Sequence, residues 1–250
     1  ATAACLKGLE TLGQSLNAVA GIDAEAAMKA ARRADRERAL GRRRGPLHGV
    51  PLAHKDMYYR RGRLSECGSI IRKGFVPAVT ATVLERLDAA GALDIARLNM
   101  VEFAMGPTGH NPHTGTPRNP WNTEHIPGGS SSGPAVAVAA RIVTGSLGSD
   151  TGGSIRMPAA FCGIVGIKPT YGLVSRYGAM PLSFSQDHVG PLTRTVEDCA
   201  LMLQAIAGPD PKDPTTAPQR PANFRAGLEK GVRGRTIAVA MGWFREGMTD

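Results

Sequence analysis

Hydrophobic and polar residues along this chain fall into two alternating patterns. Segments rich in helix-forming residues, with apolar positions three or four apart, predict helices, and short apolar runs between turn residues predict strands. The predicted helices cover residues 24–40, 80–90, 136–143 and 196–207. The predicted strands cover residues 92–98, 146–149, 164–167 and 236–241. Because helices and strands alternate, the pattern favours a layered α/β fold.

Residues suited to helix ends mark three of the predicted helices. Asp23 precedes the first helix and Thr195 precedes the last, where short polar side chains cap the first turn. Gly91 follows the second helix and Gly208 follows the last, where a glycine commonly ends a helix. Residues 208–221 are rich in Pro and polar residues, which is typical of either a linker or a surface loop.

The composition is that of a globular protein, with 42% hydrophobic and 20% charged residues in a chain of 250. No apolar run approaches the roughly 20 residues that cross a bilayer, so we expect no membrane span. The four cysteines form no CxxC pair, which argues against a zinc site and favours reduced thiols. We therefore expect a cytoplasmic protein without a metal or other cofactor.

The chain carries a net charge of +9, and its densest basic stretch is residues 32–44. A patch that binds nucleic acid or a membrane surface has this composition. A solvated helix face can have the same basic composition. Here Asp35, Glu37 and several alanines interrupt the basic residues at helical spacing. The stretch contains no aromatic residue to stack on bases, as single-strand binding requires. We expect a solvated face and no nucleic-acid partner, with a nucleic-acid-binding domain as the alternative.

Two Gly-Gly-Ser segments flank one predicted helix. They are residues 128–130 and 152–154, and each adjoins apolar, helix-forming sequence, unlike a flexible linker. Glycines in such positions let the backbone approach a ligand closely. Adjacent glycines also present backbone N–H groups to an anion, as stabilisation of an oxyanion requires. The two segments therefore predict a catalytic loop pair built around serine.

A serine hydroxyl is a strong nucleophile only when a base takes its proton. Histidine is the usual base, but no histidine here has an evident aspartate partner, so each is more typical of a loop or of packing. The histidines considered are His54, His110, His113, His125 and His188. Lys55 is the alternative base, because it follows the apolar residues 46–54 and burial lowers the pKa of a lysine. An ordinary surface lysine is the competing interpretation.

Three motifs together resemble the amidase signature family of serine hydrolases. They are HGVPLAHKD (residues 48–56), GGSSSG (128–133) and GSDTGGSIRMPAAFCG (148–163). Further blocks similar to the family are NMVEFAMG, RNPWN, GIKPTYG and DHVGPLTRTVEDCALML. The resemblance covers about residues 45–210. It implies a mixed β-sheet core flanked by helices, in one amidase domain over residues 1–250.

Within that domain, the resemblance implies an N-terminal helical segment (1–44), the signature core (45–210) and a final loop and strand (211–250). The final strand lies close to Asp250, and family members are longer. We therefore expect that further chain once followed, that the C-terminal half of the family fold is absent, and that full activity requires it.

The resemblance also implies a Ser–Ser–Lys triad. Ser154 matches the nucleophile, Ser130 matches the bridging serine, which follows a cis peptide bond in the family, and Lys55 matches the base. The backbone N–H groups that match the oxyanion hole belong to Thr151, Gly152, Gly153 and Ser154. Residues that match supporting positions are Ser131, Asp150 and Arg156.

The implied activity is hydrolysis of the C–N bond of a small or aryl carboxylic amide, through a serine acyl-enzyme that releases ammonia or an amine. The alternative within the family is the glutaminase (A) subunit of a tRNA-dependent amidotransferase. Asp187-His188-Val189 is closer to the general amidases, because that subunit usually has Asp-Gln-Ile there. The expected partner is a small amide substrate, and the sequence leaves a homo-oligomeric state open.

Overall fold

Helices and strands alternate along the chain, as the residue pattern predicted. The computed structural model of the protein describes residues 1–238, Gly242 and Glu246. The helices are α1 (Thr2–Gly8), α2 (Ala24–Ala39), α3 (Thr82–Ala89), α4 (Ser132–Ala139), α5 (Arg156–Cys162) and α6 (Val196–Ile206). The strands are β1 (Val19–Ile22), β2 (Pro51–Lys55), β3 (Leu93–Leu98), β4 (Gly145–Asp150), β5 (Val165–Gly166) and β6 (His188–Thr193). Shorter helical turns are present at Leu9–Gly13, Ile70–Arg72, Glu102–Ala104 and Leu228–Lys230.

The strands form two three-stranded sheets that lie edge to edge. In the first sheet, with strand order β1-β3-β2, β1 runs antiparallel and β2 runs parallel to β3. In the second sheet, with order β4-β6-β5, both pairs are antiparallel. The ring of His54 on β2 accepts a hydrogen bond of 3.0 Å from the Leu147 amide on β4, which joins the two sheets. The predicted α/β fold with mixed β-sheet and flanking helices is confirmed.

Apolar positions spaced three or four apart bring α3 and α6 together in one buried cluster. In α3 these positions include Leu84 and Leu87, and in α6 they include Met202 and Ile206. The same cluster takes in side chains from β2, β4 and β6. Burial of apolar surface contributes about 25 cal/mol per Å² to folding. The cluster therefore fixes the strands that carry the polar residues described below.

The helices predicted at residues 24–40 and 196–207 are confirmed as α2 and α6. Thr195 caps α6 as predicted, because its hydroxyl accepts a hydrogen bond of 3.1 Å from an amide of the first turn. Asp23 occupies the N-cap position of α2, as predicted, but its side chain does not cap the helix. Its carboxylate makes no capping bond and pairs with the Arg63 guanidinium at 3.0 Å, because a charged donor binds a carboxylate more strongly than a neutral amide does.

The ends of two further helices differ from the prediction. Helix α3 begins two residues later than expected, because Ala81 is still in an extended conformation. Helix α4 begins four residues before the predicted 136–143 segment, inside the GGSSSG motif, and it ends early because the chain turns at Arg141, whose φ is 60°. Strands β3, β4 and β5 lie where strands were predicted, whereas β1, β2 and β6 were not predicted.

Residues 208–221 form a surface loop that is bonded to the body of the protein, which favours the loop interpretation over a linker. Asp210 accepts a hydrogen bond of 2.5 Å from the Ser175 hydroxyl, and Asp213 accepts one of 2.7 Å from the Arg176 amide. Of the strand predicted at residues 236–241, the first three residues are not in a strand, and the rest lie outside the described residues.

The basic stretch of residues 32–44 lies largely on α2 and on the turn that follows it. The buried side of this helix is formed by small residues, Ala27 and Ala34. Its arginines are exposed, and Arg33 pairs with Glu37 at 2.8 Å. This is the geometry of a solvated helix face.

All four cysteines are free thiols, and three of them are buried. Among the residues that the structure describes, no helix has both the length and the apolar character needed to span a bilayer. The same residues contain no group of three or more His, Cys, Asp or Glu side chains arranged to hold a metal ion.

Candidate active site

Lys55 is the last residue of β2, and its side chain is only 1% exposed. Its Nζ lies 2.7 Å from the Ser130 Oγ and 2.8 Å from the Ser149 Oγ. Burial lowers the pKa of Lys55 to about 7, although the nearby negative charges of Asp150 and Asp187 act in the opposite direction. Lys55 is therefore a buried amine that is neutral in a large fraction of molecules near pH 7, and not a surface lysine.

Ser130 is fully buried and follows a cis peptide bond from Gly129. A Cβ at Gly129 would lie 2.6 Å from the Gly106 carbonyl oxygen, so only glycine fits this position. The first Gly-Gly pair therefore packs closely against the backbone of the protein itself. We had expected these glycines to allow close approach of a ligand instead. In the second pair, a Cβ at Gly152 would meet no atom within 4 Å, whereas one at Gly153 would lie 2.9 Å from the Met157 Cε.

Ser154 lies in the loop between β4 and α5, and it is 7% exposed. The Ser131 amide donates a hydrogen bond of 3.2 Å to the Ser154 carbonyl oxygen, which ties this loop to the segment that carries Ser130. In the part of the chain that the structure describes, no hydrogen bond joins the hydroxyl groups of Ser130 and Ser154. The structure thus joins Lys55 to Ser130 directly and brings Ser154 to them through the backbone.

The four consecutive amides of residues 151–154 donate no hydrogen bond to any acceptor within the described residues. The next two amides, of Ile155 and Arg156, donate to the Asp150 carboxylate at 3.1 and 3.3 Å. A run of free N–H groups beside open space at Gly152 is the arrangement that an oxyanion requires.

Asp150, Arg156 and Ser131 hold this loop in place, and within the described residues their side chains make no hydrogen bond to the Lys55 amine or the Ser130 hydroxyl. Arg156 donates two hydrogen bonds to Asp150, at 3.0 and 2.9 Å. Burial alone would raise the pKa of Asp150, but the Arg156 guanidinium and the two loop amides outweigh it and hold the pKa below its usual range. The Ser131 hydroxyl bonds to the carbonyl and the amide of Ser149 at 3.2 Å.

Sequence reasoning missed two residues of the site. Ser149 is the second hydrogen-bond partner of the Lys55 amine, and its place directly before Asp150 in the motif was the available signal. Asp187 accepts a hydrogen bond of 2.6 Å from the Thr151 hydroxyl, 36 residues away in the sequence. Spacing along the chain gives no signal for that contact.

Among the described residues, no histidine is hydrogen-bonded to Ser130 or Ser154. His54 lies on the same strand as Lys55, but its Nδ1 accepts the bond from Leu147, and burial lowers its pKa to about 4. His113 contacts Glu102 at 3.1 Å. The ring Nδ1 of His188 faces two carbonyl oxygens, of Asp150 and Gln186, at 3.2 and 2.6 Å.

A cavity of about 190 Å³ adjoins Ser149. Its walls are largely apolar, but charged side chains, including Arg176, Lys212 and Asp213, line it as well. The residues that line it include Met57, Met180, Pro181, Phe184, Asp187 and His188. Pockets of this kind bind small molecules.

Comparison with known proteins shows which family this chain is similar to. A protein-family profile described as Amidase matches residues 1–250. The A subunit of glutamyl-tRNA(Gln) amidotransferase from Syntrophobacter fumaroxidans is 47% identical over 244 residues, which are 97% of this chain and 50% of that protein. The protein of the same name from Exiguobacterium sibiricum is 54% identical over 205 residues, which are 82% of this chain and 43% of that protein. The chain thus spans about half the length of the curated relatives it matches.

Solved structures give the same result. The native peptide amidase from Stenotrophomonas maltophilia superposes with a TM-score of 0.84 at 43% identity, over 89% of this chain and 47% of that one. The A subunit of glutamyl-tRNA(Gln) amidotransferase from Thermotoga maritima superposes with a TM-score of 0.73 at 44% identity, over 76% and 42% of the two chains. Because the family profile extends over its whole length, the chain belongs to the amidase family.

Proposed function

We propose that this protein hydrolyses the C–N bond of a carboxylic amide through an acyl-enzyme formed on Ser154. The observation that carries the proposal is the buried Lys55 amine, 2.7 Å from the Ser130 hydroxyl. A buried lysine with a pKa of about 7 is able to act as a general base near neutral pH. The hydroxyl of Ser130 contacts this base, and the next residue, Ser131, is bonded through its amide to the Ser154 carbonyl oxygen.

In the first half of the reaction, the neutral Lys55 amine takes the proton of Ser130 while Ser130 takes the proton of Ser154. The Ser154 Oγ forms a bond to the amide carbon, and the carbonyl oxygen becomes an oxyanion. This step requires the hydroxyl of Ser154 to reach that of Ser130 once substrate is bound. Catalytic hydrogen bonds are often long in a free enzyme and tighten in the substrate complex.

The free amides of residues 151–154 support the oxyanion at the point where charge develops. The C–N bond then breaks, and the proton held by Lys55 returns through Ser130 to the departing nitrogen. Water attacks the resulting ester along the same route, and the carboxylic acid leaves. An amine is a poor leaving group unless it is protonated, so a relay that delivers a proton suits amides.

The cavity beside Ser149 favours a small substrate with an apolar or aryl portion. Met57, Met180 and Phe184 provide apolar contacts in this cavity of about 190 Å³. We therefore propose small or aryl carboxylic amides as the substrate class, with ammonia or an amine as the second product.

The second candidate function is the glutaminase subunit of a tRNA-dependent amidotransferase. The names of the two curated relatives above favour it, at 47% and 54% identity. His188 favours the first candidate, because it lines the cavity at a position where that subunit type usually has Gln. In the second case the ammonia would pass to a partner protein.

A substrate panel separates the two candidates. Release of ammonia or amine would be measured for aliphatic amides, aryl amides, anilides and glutamine, with Ser154→Ala as the control for contaminating activity. Turnover of aliphatic or aryl amides supports the proposed function. Glutamine as the sole good substrate would favour the amidotransferase subunit, and equal release by Ser154→Ala would contradict both.

A further inference from the structure

Thr151, the first residue of the free amide run, is held by a carboxylate from another part of the chain. Its Oγ1 donates a hydrogen bond of 2.6 Å to the Oδ1 of Asp187. Thr151 directly follows β4, and Asp187 directly precedes β6. The antiparallel pairing of Asp150 with His188 brings the two residues side by side.

The other oxygen of the same carboxylate holds a wall of the cavity. The Oδ2 of Asp187 accepts hydrogen bonds from the amides of Leu182 and Ser183, at 2.8 and 2.9 Å. These two residues lie between Pro181 and Phe184, which line the cavity beside Ser149. One side chain therefore joins the amide run to a segment that lines the cavity.

The chemistry of these contacts suits positioning. Hydrogen bonds to an ionised carboxylate are roughly twice as strong as neutral ones. The bond to Asp187 also occupies the Thr151 hydroxyl, whereas the backbone N–H of Thr151 donates to no acceptor in the described part of the chain. The side chain is fixed and the amide is left available for a ligand.

We infer that Asp187 is a positioning residue, which acts through the Thr151 hydroxyl to fix the first oxyanion-binding amide relative to the substrate cavity. The inference rests on the proposed function, because the amide run matters to the rate only if an oxyanion forms there. Asp187 lines the cavity, and its carboxylate makes no hydrogen bond to Lys55, Ser130 or Ser154 within the described residues. The effect of the Thr151–Asp187 bond is expected on kcat, and Thr151→Val isolates it, because Asp187→Ala also releases the cavity wall at Leu182 and Ser183.

A threonine–aspartate pair elsewhere in the protein gives a matched control. The Thr195 hydroxyl donates to the Asp198 carboxylate at 2.8 Å, where it caps α6 away from the serine pair. Thr195→Val removes the same kind of bond as Thr151→Val. It is expected to lower the melting temperature and to leave kcat unchanged.

The test measures kcat, KM, melting temperature and the rate of fluorophosphonate labelling for Thr151→Val, Asp187→Ala and the double variant. Loss of one oxyanion donor typically lowers kcat by about 10²–10³-fold, so Thr151→Val, which misplaces one donor, is expected to lower kcat by roughly 10- to 100-fold with little change in KM. Asp187→Ala is expected to lower kcat as well and to raise KM, because it also frees the cavity wall. Because both residues act in one contact, the double variant is expected to lose no more than the more impaired single variant. Thr151→Ser keeps the hydroxyl and is expected to restore most of the rate.

The inference would be overturned if Thr151→Val kept the wild-type kcat. It would also be overturned if the losses of the two single variants multiplied in the double variant. In either case, activity of the wild-type protein would leave the proposed function intact. Thr151→Val decides the question even where Asp187→Ala does not fold, because it removes a single hydroxyl. A wild-type protein that neither hydrolyses amides nor labels with the fluorophosphonate would overturn the proposed function, and the inference with it.

Discussion

The Nζ of Lys55 lies 2.7 Å from the Oγ of Ser130, although 75 residues separate them in the sequence. Parallel pairing of β2 with β3 places Lys55 opposite Leu98 inside the protein, and α4 begins two residues after Ser130. The amine has lost its contact with water and has hydroxyl groups as its hydrogen-bond partners. Desolvation of this kind turns an ordinary cation into a base.

Two neighbouring serines give a test of the bridging role. Ser130→Ala removes the hydroxyl that contacts Lys55, and we expect it to lower kcat by about 10²–10⁴-fold, the range for loss of general acid–base catalysis. Ser132→Ala is the control, because the buried Ser132 hydroxyl has no hydrogen-bond partner within the described chain. We expect that variant to keep wild-type kcat and equal or higher stability. Equal losses in both variants would contradict the bridging role.

Replacing the lysine is expected to affect amides more than activated esters. Lys55→Ala removes the group that takes the proton from the nucleophile and returns it to the leaving nitrogen. We expect kcat/KM for an amide to fall by about 10²–10⁴-fold. An ester with a stable leaving group needs no proton on departure, so it should lose less. Parallel measurements on an amide and an ester with the same acyl group test this, and equal losses would exclude a proton-donating role.

The rate is expected to depend on pH through Lys55, because only the neutral amine accepts a proton. Its pKa of about 7 predicts that kcat/KM rises as pH increases toward 7 and levels off above it. A pH profile with a buffer of constant ionic strength measures this. A rising limb centred near 10, the ordinary range for lysine, would show that the amine is not desolvated in the working enzyme.

Stability should depend on pH through the same residue. The pKa of Lys55 is about 7 in the folded protein and 10.5 in a solvated chain, so between these values the unfolded state binds more protons and the free energy of unfolding rises with pH. Lys55→Met lacks this dependence. We expect the stability advantage of Lys55→Met over wild type to be largest below pH 7 and to shrink as the pH rises toward 10.5. Denaturant unfolding of both proteins across this range measures it, and a constant difference would contradict the assignment.

Motifs and periodic helices were the parts of the molecule that the sequence predicted well. The spacing of apolar residues identified α2 and α6, and the two Gly-Gly-Ser segments together with Lys55 identified the candidate site. These signals are local, because residues close together in the sequence determine a helix face or a glycine-rich loop. Lys55 and Ser130 were linked only through the resemblance to a family.

Long-range contacts were beyond prediction, because nothing in the neighbouring residues encodes them. Asp23 has the sequence position of a helix cap, but a guanidinium 40 residues away takes its carboxylate. Strand β1 is four residues long and only partly buried, so its apolar pattern is weak. The contact between Thr151 and Asp187 depends on the register of β4 against β6, which becomes visible only in the folded chain.

The reaction of Ser154 itself is the most direct test of the proposed mechanism. Wild-type protein and Ser154→Ala would be incubated with a fluorophosphonate and analysed by mass spectrometry, and amide turnover would be measured on the same samples, with Ser132→Ala as the control. We predict one covalent adduct on Ser154 in wild type and in Ser132→Ala, and neither adduct nor turnover in Ser154→Ala. Near-native amide turnover by Ser154→Ala would contradict the mechanism.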